Sequence, residues 1–143
     1  VTGAEVEATA RQLIGVRYRH QGRSRDAVDC IGLVIVTRDI LGLPNPELPV
    51  DYAPLPIDDA MLVYCKAHMV SVTDMQPGDV VCLQYKVARH MGILGTYPHG
   101  GLSLLHARSM HPRKVDETAF NEAWRRQEQC RVIGCFRFRE VAA

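Results

Sequence analysis

Asp29-Cys30-Ile31-Gly32-Leu33-Val34-Ile35-Val36-Thr37-Arg38-Asp39-Ile40-Leu41-Gly42 is the stretch on which the fold turns. Its β-branched residues suit a strand, and its apolar periodicity does not decide between strand and helix. Its length and its ends do decide. Asp29 is a good N-cap, and Gly42 followed by Pro44 is a stop, so the stretch reads as a buried helix. Cys30 then falls in the first turn, where free N–H groups and the helix dipole favour negative charge. A histidine beside such a thiol would form a thiolate–imidazolium pair and lower its pKa from about 8.5 to roughly 3–4.

Upstream, Thr2-Gly3-Ala4-Glu5 is a capping box, and Val6, Ala10, Leu13 and Ile14 follow at helical spacing up to Gly15. A loop rich in Arg, Gly and Ser runs to Val28. Downstream, the proline-rich stretch from Leu43 to Pro56 predicts an irregular loop, and Asp58 to Val70 a weaker helix. The pattern then changes. Gln76-Pro77-Gly78-Asp79 is a turn, and Val80–Leu83, His90–Leu94 and Leu102–Ala107 are short strands. Thr118 to Glu128 reads as a short helix. Arg131 to Arg139 reads as a last strand, with Val132, Phe136 and Phe138 on one face and Ile133, Cys135 and Arg137 on the other. Helices first and strands later predict an α+β fold with an antiparallel sheet, in one domain over residues 1–143.

Composition narrows the function. The 143 residues are 47% hydrophobic and 23% charged, with a formal net charge of +1. No global basic field argues for nucleic acid. No apolar run approaches the roughly 18 residues of a membrane span. Arg11 to Arg25 holds five arginines and no acid, whereas Asp39 to Cys65 holds five acids and no Lys or Arg. Such asymmetry fits solvated faces of one domain or a groove that sorts a charged substrate. The five cysteines are odd in number and lack a C-x-x-C pair, which predicts a reducing site of synthesis. The first residues lack a basic region followed by an apolar one, so no signal peptide is expected.

A thiol nucleophile needs a base, and the base needs an orienting group. Cys30, His90 and His106 occur in that order. Around them stand Gly15-Val-Arg-Tyr18, Asp29-Cys-Ile-Gly-Leu33, Pro77-Gly-Asp-Val80, His90-Met-Gly-Ile93 and Leu105-His-Ala107. This ordered set resembles the NlpC/P60 family of papain-like cysteine peptidases. Asp-Cys-Ile-Gly-Leu, together with Trp124-Arg-Arg126 and Phe136-Arg-Phe138, is most similar to the compact members encoded by phages, prophages and gene transfer agents.

The resemblance implies a papain-like fold, with N-terminal helices packed on a central antiparallel sheet and the nucleophile at a helix start. It implies Cys30 as nucleophile, His90 as base and His106 as the residue that orients it. It assigns Tyr18, with the Cys30 backbone N–H, to the oxyanion, and Asp29 to the free amine of a stem peptide. It implies a substrate, the peptidoglycan stem peptide, cut between the γ-carboxyl of D-glutamate and the diamino acid. Phage tail-tip or hub proteins are the implied partners, with synthesis in the cytoplasm and action on the cell wall in the periplasm. No metal or organic cofactor is implied, and histidines with Cys130 or Cys135 lack zinc-ligand spacing. Two departures bear on substrate preference. Ile31 stands where Ser is usual, and the loop after Tyr18 reads Arg19-His20-Gln21-Gly22. Arg19 and Arg23 are candidates for a rim that pairs with a substrate carboxylate. Two other readings use the same residues: a structural tail component with vestigial activity, and an amidase or acyltransferase.

The other candidates have structural readings. His20 is a loop residue, and His68, His99 and His111 are surface or helix residues. Asp79 bonds local backbone, Trp124 anchors the core, and Cys65, Cys82, Cys130 and Cys135 pack.

Overall fold

Two capped helices begin the architecture in the computed structural model, which describes residues 1–46 and 59–142. Thr2 caps α1 (Gly3–Arg11) through both halves of its box: Glu5 N–H donates to Thr2 Oγ1 at 3.1 Å, and Thr2 N–H to Glu5 Oε2 at 2.9 Å. Asp29 caps α2 (Cys30–Ile40), with Oδ1 accepting from Gly32 N–H at 2.7 Å. Residues Cys30 to Arg38 are all buried, and the run from Cys30 to Val36 is apolar all round because it is covered all round.

Between these helices lie three two-residue strands, β1 (Arg17–Tyr18), β2 (Arg23–Ser24) and β3 (Ala27–Val28). They form a small sheet in the order β1-β3-β2, with β1 parallel to β3. The sequence predicts only a loop here, because two-residue strands are too short to show alternation.

After α3 (Ala60–His68) come β4 (Met69–Ser71), β5 (Val80–Gln84), β6 (Arg89–Thr96), β7 (Leu102–Ala107) and β8 (Val115–Ala119). Then follow α4 (Glu122–Glu128), β9 (Arg131–Phe138) and the short α5 (Arg139–Ala142). The large sheet has the order β4-β9-β5-β6-β7-β8, and every pairing in it is antiparallel. On one face α1, α2 and α3 bury Val6, Leu33 and Cys65 against Cys82, Met91, Leu105 and Phe136. On the other face Val81, Leu83, Leu94, Leu104 and Phe120 pack with Trp124 of α4. No helix among the described residues is long and apolar enough to cross a membrane. The predicted α+β fold with its antiparallel sheet is therefore present.

Four local expectations are corrected. The weak helix ends at His68, because Met69 to Ser71 pair with Phe138 to Phe136; Asp58 lies outside the described residues. So does most of the predicted Leu43–Pro56 loop, and its described part, residues 43–46, has no regular structure. Thr118 and Ala119 belong to β8, paired with Leu104 and Ser103, and α4 starts only after Asn121, whose Oδ1 accepts from Trp124 N–H at 2.7 Å. The single alternation along β9 fails because its register with β5 shifts between Cys82 and Leu83. That bulge puts Val132 on the α4 face with Cys135, while Ile133 joins Phe136 and Phe138. Asp79 does bond local backbone, accepting from Gln76 N–H at 2.9 Å, but it also holds Arg137, at 2.8 and 2.9 Å.

Candidate active site

The thiol and the imidazoles come from opposite layers. Cys30 opens α2 on the three-helix side of the sheet. His90 and His106 share the parity of Leu94 and Leu104, which face α4. The β6–β7 ladder runs from Thr96–Leu102 to Ile93–Leu105 and ends there, before His90 and His106. At that end the Cys30 sulfur is hydrogen-bonded by the backbone of Met91, the residue after His90, and by that of Ile31. The sulfur also lies 3.6 Å from Met61 Sδ, within the core.

Close backbone packing sets this position. A Cβ on Gly32 would collide with the carbonyl oxygen of Gly22, so α2 can meet the 19–22 loop only at a glycine. Asp29 ties the same two segments together. While Oδ1 caps α2, Oδ2 accepts from Gln21 N–H at 2.9 Å. The carboxylate is buried and engaged by backbone on both oxygens.

The imidazoles form a direct pair, His90 Nε2 to His106 Nδ1 at 2.9 Å. His106 Nε2 lies 3.2 Å from Thr118 Oγ1. If the Thr118 hydroxyl accepts from His106, then His106 Nδ1 accepts from His90 Nε2–H. His90 Nδ1 is then left as the basic nitrogen. Rings brace the pair: Tyr85 lies edge-on to His90 at 5.9 Å, and Trp124 edge-on to His106 at 5.8 Å.

The electrostatics of the resting site differ from the sequence expectation. Burial, then the nearby Asp29 charge, pushes the Cys30 thiol up to about 12, despite the N–H groups of Met91 and Ile31. Burial and the Arg108 cation lower His90 to about 4. Burial, His90 and Arg108 hold His106 well below the usual histidine range. Tyr18 is raised to about 12 by burial and by its closeness to Cys30 and Asp29, so its phenol stays protonated. Burial thus favours the neutral form of the thiol and of both imidazoles, opposing the helix start. Alkylation of Cys30 by iodoacetamide should then rise about tenfold per pH unit between pH 6 and 9, following the thiolate fraction. A plateau below pH 7 would mean that an ion pair already exists.

Of the residues singled out from sequence, Tyr18, Asp29 and Cys30 lie together, and His90 and His106 form the pair across the ladder end. Arg19 is exposed and makes no side-chain contact with these groups among the described residues. Arg23 sits where its charge acts on Tyr64. Arg108, a cation that the sequence reading does not single out, lines a cavity of about 410 Å³ that opens on both His90 and His106. Its only sequence signal is shared parity with His106. Trp124 does anchor a core, on Phe120, and also touches His106. Cys65 and Cys82 pack as buried thiols, their sulfurs 3.7 Å apart. Among the described residues, no group of three or more His, Cys, Asp or Glu could hold a metal ion.

Comparison with known proteins points one way. The sequence matches the NlpC/P60 family over residues 15–132, more than half of the chain. No curated protein matches it. Among solved structures, the NlpC/p60 domain of the peptidoglycan hydrolase SagA is 18% identical, with a TM-score of 0.62, covering 95% of this chain and 98% of that one. NlpC1 from Trichomonas vaginalis is 17% identical, with a TM-score of 0.68, covering 95% of this chain but only 44% of its own length. An NlpC/P60 family protein from Bacillus cereus is 19% identical, with a TM-score of 0.65, covering 96% of this chain and 40% of that one. This chain thus spans under half the length of two of these three proteins.

Proposed function

The chain belongs to the NlpC/P60 family, and from that premise we propose that it is a cysteine endopeptidase of peptidoglycan. In this reading it cuts the stem-peptide amide between the γ-carboxyl of D-glutamate and the diamino acid. The observation that carries the reading is the 2.9 Å His90–His106 contact at the ladder end where the Cys30 sulfur meets the Met91 amide.

Because thiol and imidazole start neutral, His90 acts as a general base during attack. The sulfur turns from Met61 toward the scissile carbonyl and passes its proton to His90. The carbonyl oxygen becomes an oxyanion, held by the Cys30 N–H and the protonated Tyr18 hydroxyl. His90 returns the proton to the leaving amine, and water then hydrolyses the thioester. His106 holds the His90 ring, and Thr118 holds His106. The motifs shared with phage-encoded members support a wall hydrolase that works at a virion tail tip and reaches the wall in the periplasm.

Mass spectrometry of digested muropeptides tests the reaction. The expected products are a fragment ending in D-glutamate and one with a free diamino-acid amine. A sugar-linked product or a transferred acyl group would replace this reading with the amidase or acyltransferase one. Thr118→Val should lower kcat about tenfold, the order of one lost hydrogen bond, and Thr118→Ser should restore it. Equal rates for Val and Ser would remove Thr118 from the relay.

A further inference from the structure

We propose that Cys65 and Cys82 are a reversible thiol–disulfide pair that takes peroxide oxidation over from Cys30. A peroxide that oxidises the Cys30 sulfur is answered by a disulfide between Cys65 and Cys82, and Cys30 returns to its thiol. Such a peroxide-reducing step is independent of which bond the protein hydrolyses.

Four sulfurs share one buried seam between α2, α3 and the sheet. Cys30 Sγ lies 3.6 Å from Met61 Sδ, and Cys65 Sγ lies 3.7 Å from Cys82 Sγ. Met61 and Cys65 stand four residues apart on α3, so both leave the same face of that helix. Cys82 is the partner of Met91 in the β5–β6 ladder, and the Met91 backbone holds the Cys30 sulfur. Residues directly opposite in an antiparallel ladder share a face, with Cα atoms about 4.5–5.5 Å apart. The three thiols are near enough that a charge on Cys82 acts on Cys30, and a charge on Cys30 acts on Cys65.

Access to the three is graded. Cys65 is 0% exposed and Cys82 2%, so both are closed to a dissolved oxidant, whereas Cys30 is 8% exposed. Oxidation therefore enters at Cys30. Its thiolate attacks one peroxide oxygen, the O–O bond breaks, and hydroxide leaves with the thiol proton as water. The Cys30 sulfur is now a sulfenic acid. The Cys82 sulfur attacks it, the S–O bond breaks, and a second water leaves with the Cys82 proton. Cys65 then attacks the Cys82 sulfur by thiol–disulfide exchange, and Cys30 departs with the Cys65 proton. In sum, one peroxide and two thiols give one disulfide and two waters. Closing the Cys65–Cys82 separation from 3.7 Å to a bond of about 2.05 Å takes a shift of about 1.6 Å. Without the pair, a second peroxide carries the Cys30 sulfenic acid on to the sulfinic acid, which thiols do not reverse.

The experiment is peptide mass mapping of the folded protein after one equivalent of hydrogen peroxide at about pH 8, near the ordinary thiol range. The wild type should show a Cys65–Cys82 disulfide with Cys30 still open to iodoacetamide, and dithiothreitol should return both thiols. In Cys30→Ala the pair should stay reduced, because the entry point is gone. In Cys65→Ala a Cys30–Cys82 disulfide should accumulate. In Cys82→Ala the Cys30 sulfinic acid should build up at least tenfold faster than in the wild type. The relay is overturned if the pair oxidises equally in Cys30→Ala, if Cys65→Ala traps no Cys30–Cys82 bond, or if Cys82→Ala is as protected as the wild type. Wild-type protein with oxygen on Cys30 or Met61 while Cys65 and Cys82 remain thiols overturns it as well. The wild-type and Cys30→Ala maps keep both core thiols, so they decide the question even where a Cys65 or Cys82 variant fails to fold.

Discussion

Cys30→Ala is expected to abolish stem-peptide hydrolysis, with kcat falling on the order of 10⁴-fold or more, as when a catalytic nucleophile is deleted elsewhere. Cys65 and Cys82 are sealed in the core against each other, and Cys135 is buried in the sheet on the α4 side, which leaves the half-buried Cys130 as the one other thiol that meets solvent. Alanine is smaller than cysteine and keeps the helix start intact, so the folded state should survive. His90→Ala should be almost as damaging. His106→Ala should cost about 10²–10⁴-fold, and His106→Asn less, because an amide oxygen can still accept from His90 Nε2–H. The checks are muropeptide turnover and the thermal unfolding midpoint of each variant. Cys30→Ala retaining more than a few percent of wild-type turnover would remove Cys30 from the chemistry.

Arg137→Ala is expected to cost about 3–5 kcal/mol of stability, the range for stranding one member of a buried ion pair. The Asp79 side chain is 2% exposed and the Arg137 side chain 16%. Arg137 Nε and Nη2 reach the two Asp79 oxygens at 2.8 and 2.9 Å, and the carboxylate raises the guanidinium further above its ordinary range. Without Arg137, the carboxylate keeps one backbone donor, Gln76 N–H, and little water. The backbone of Asp79 also accepts from Leu94 N–H at 2.8 Å, so the strain falls where β5 begins beside β6. Urea denaturation should show most of the loss recovered in an Asp79→Asn, Arg137→Ala double variant, where no charge is stranded. A single-variant loss below about 1 kcal/mol would mean that solvent reaches Asp79.

How much of this was readable beforehand depends on the range of each interaction. The two helix starts were legible because a cap is a local bond across three residues: Thr2 with Glu5, and Asp29 with Gly32. The candidate residues were legible as an ordered set of motifs. Thr118 was not, because it meets His106 diagonally across β7 and β8, a neighbour defined only once the His106–Asp116 register is known. Arg108 was hidden for the same reason, its meaning coming from a cavity shared by two turns and a helix end. The sequence announces the helix dipole at Cys30 but not the burial that opposes it.

The covering of α2 from Cys30 to Arg38 limits how the protein can be switched off. A helix buried from Cys30 to Arg38 has no edge that can fray separately from the sheet, so its amides should exchange with solvent deuterium only through global unfolding. The groups around His90 hang instead from the β5–β6 and β7–β8 turns, with Val87 and Met110 at their tips. Sub-global opening can therefore disturb the base while leaving the sulfur in place. An inhibitor protein or a neighbouring domain would gain most by capping those turns, and a released enzyme would recover at once, with no refolding step between the silent and working states.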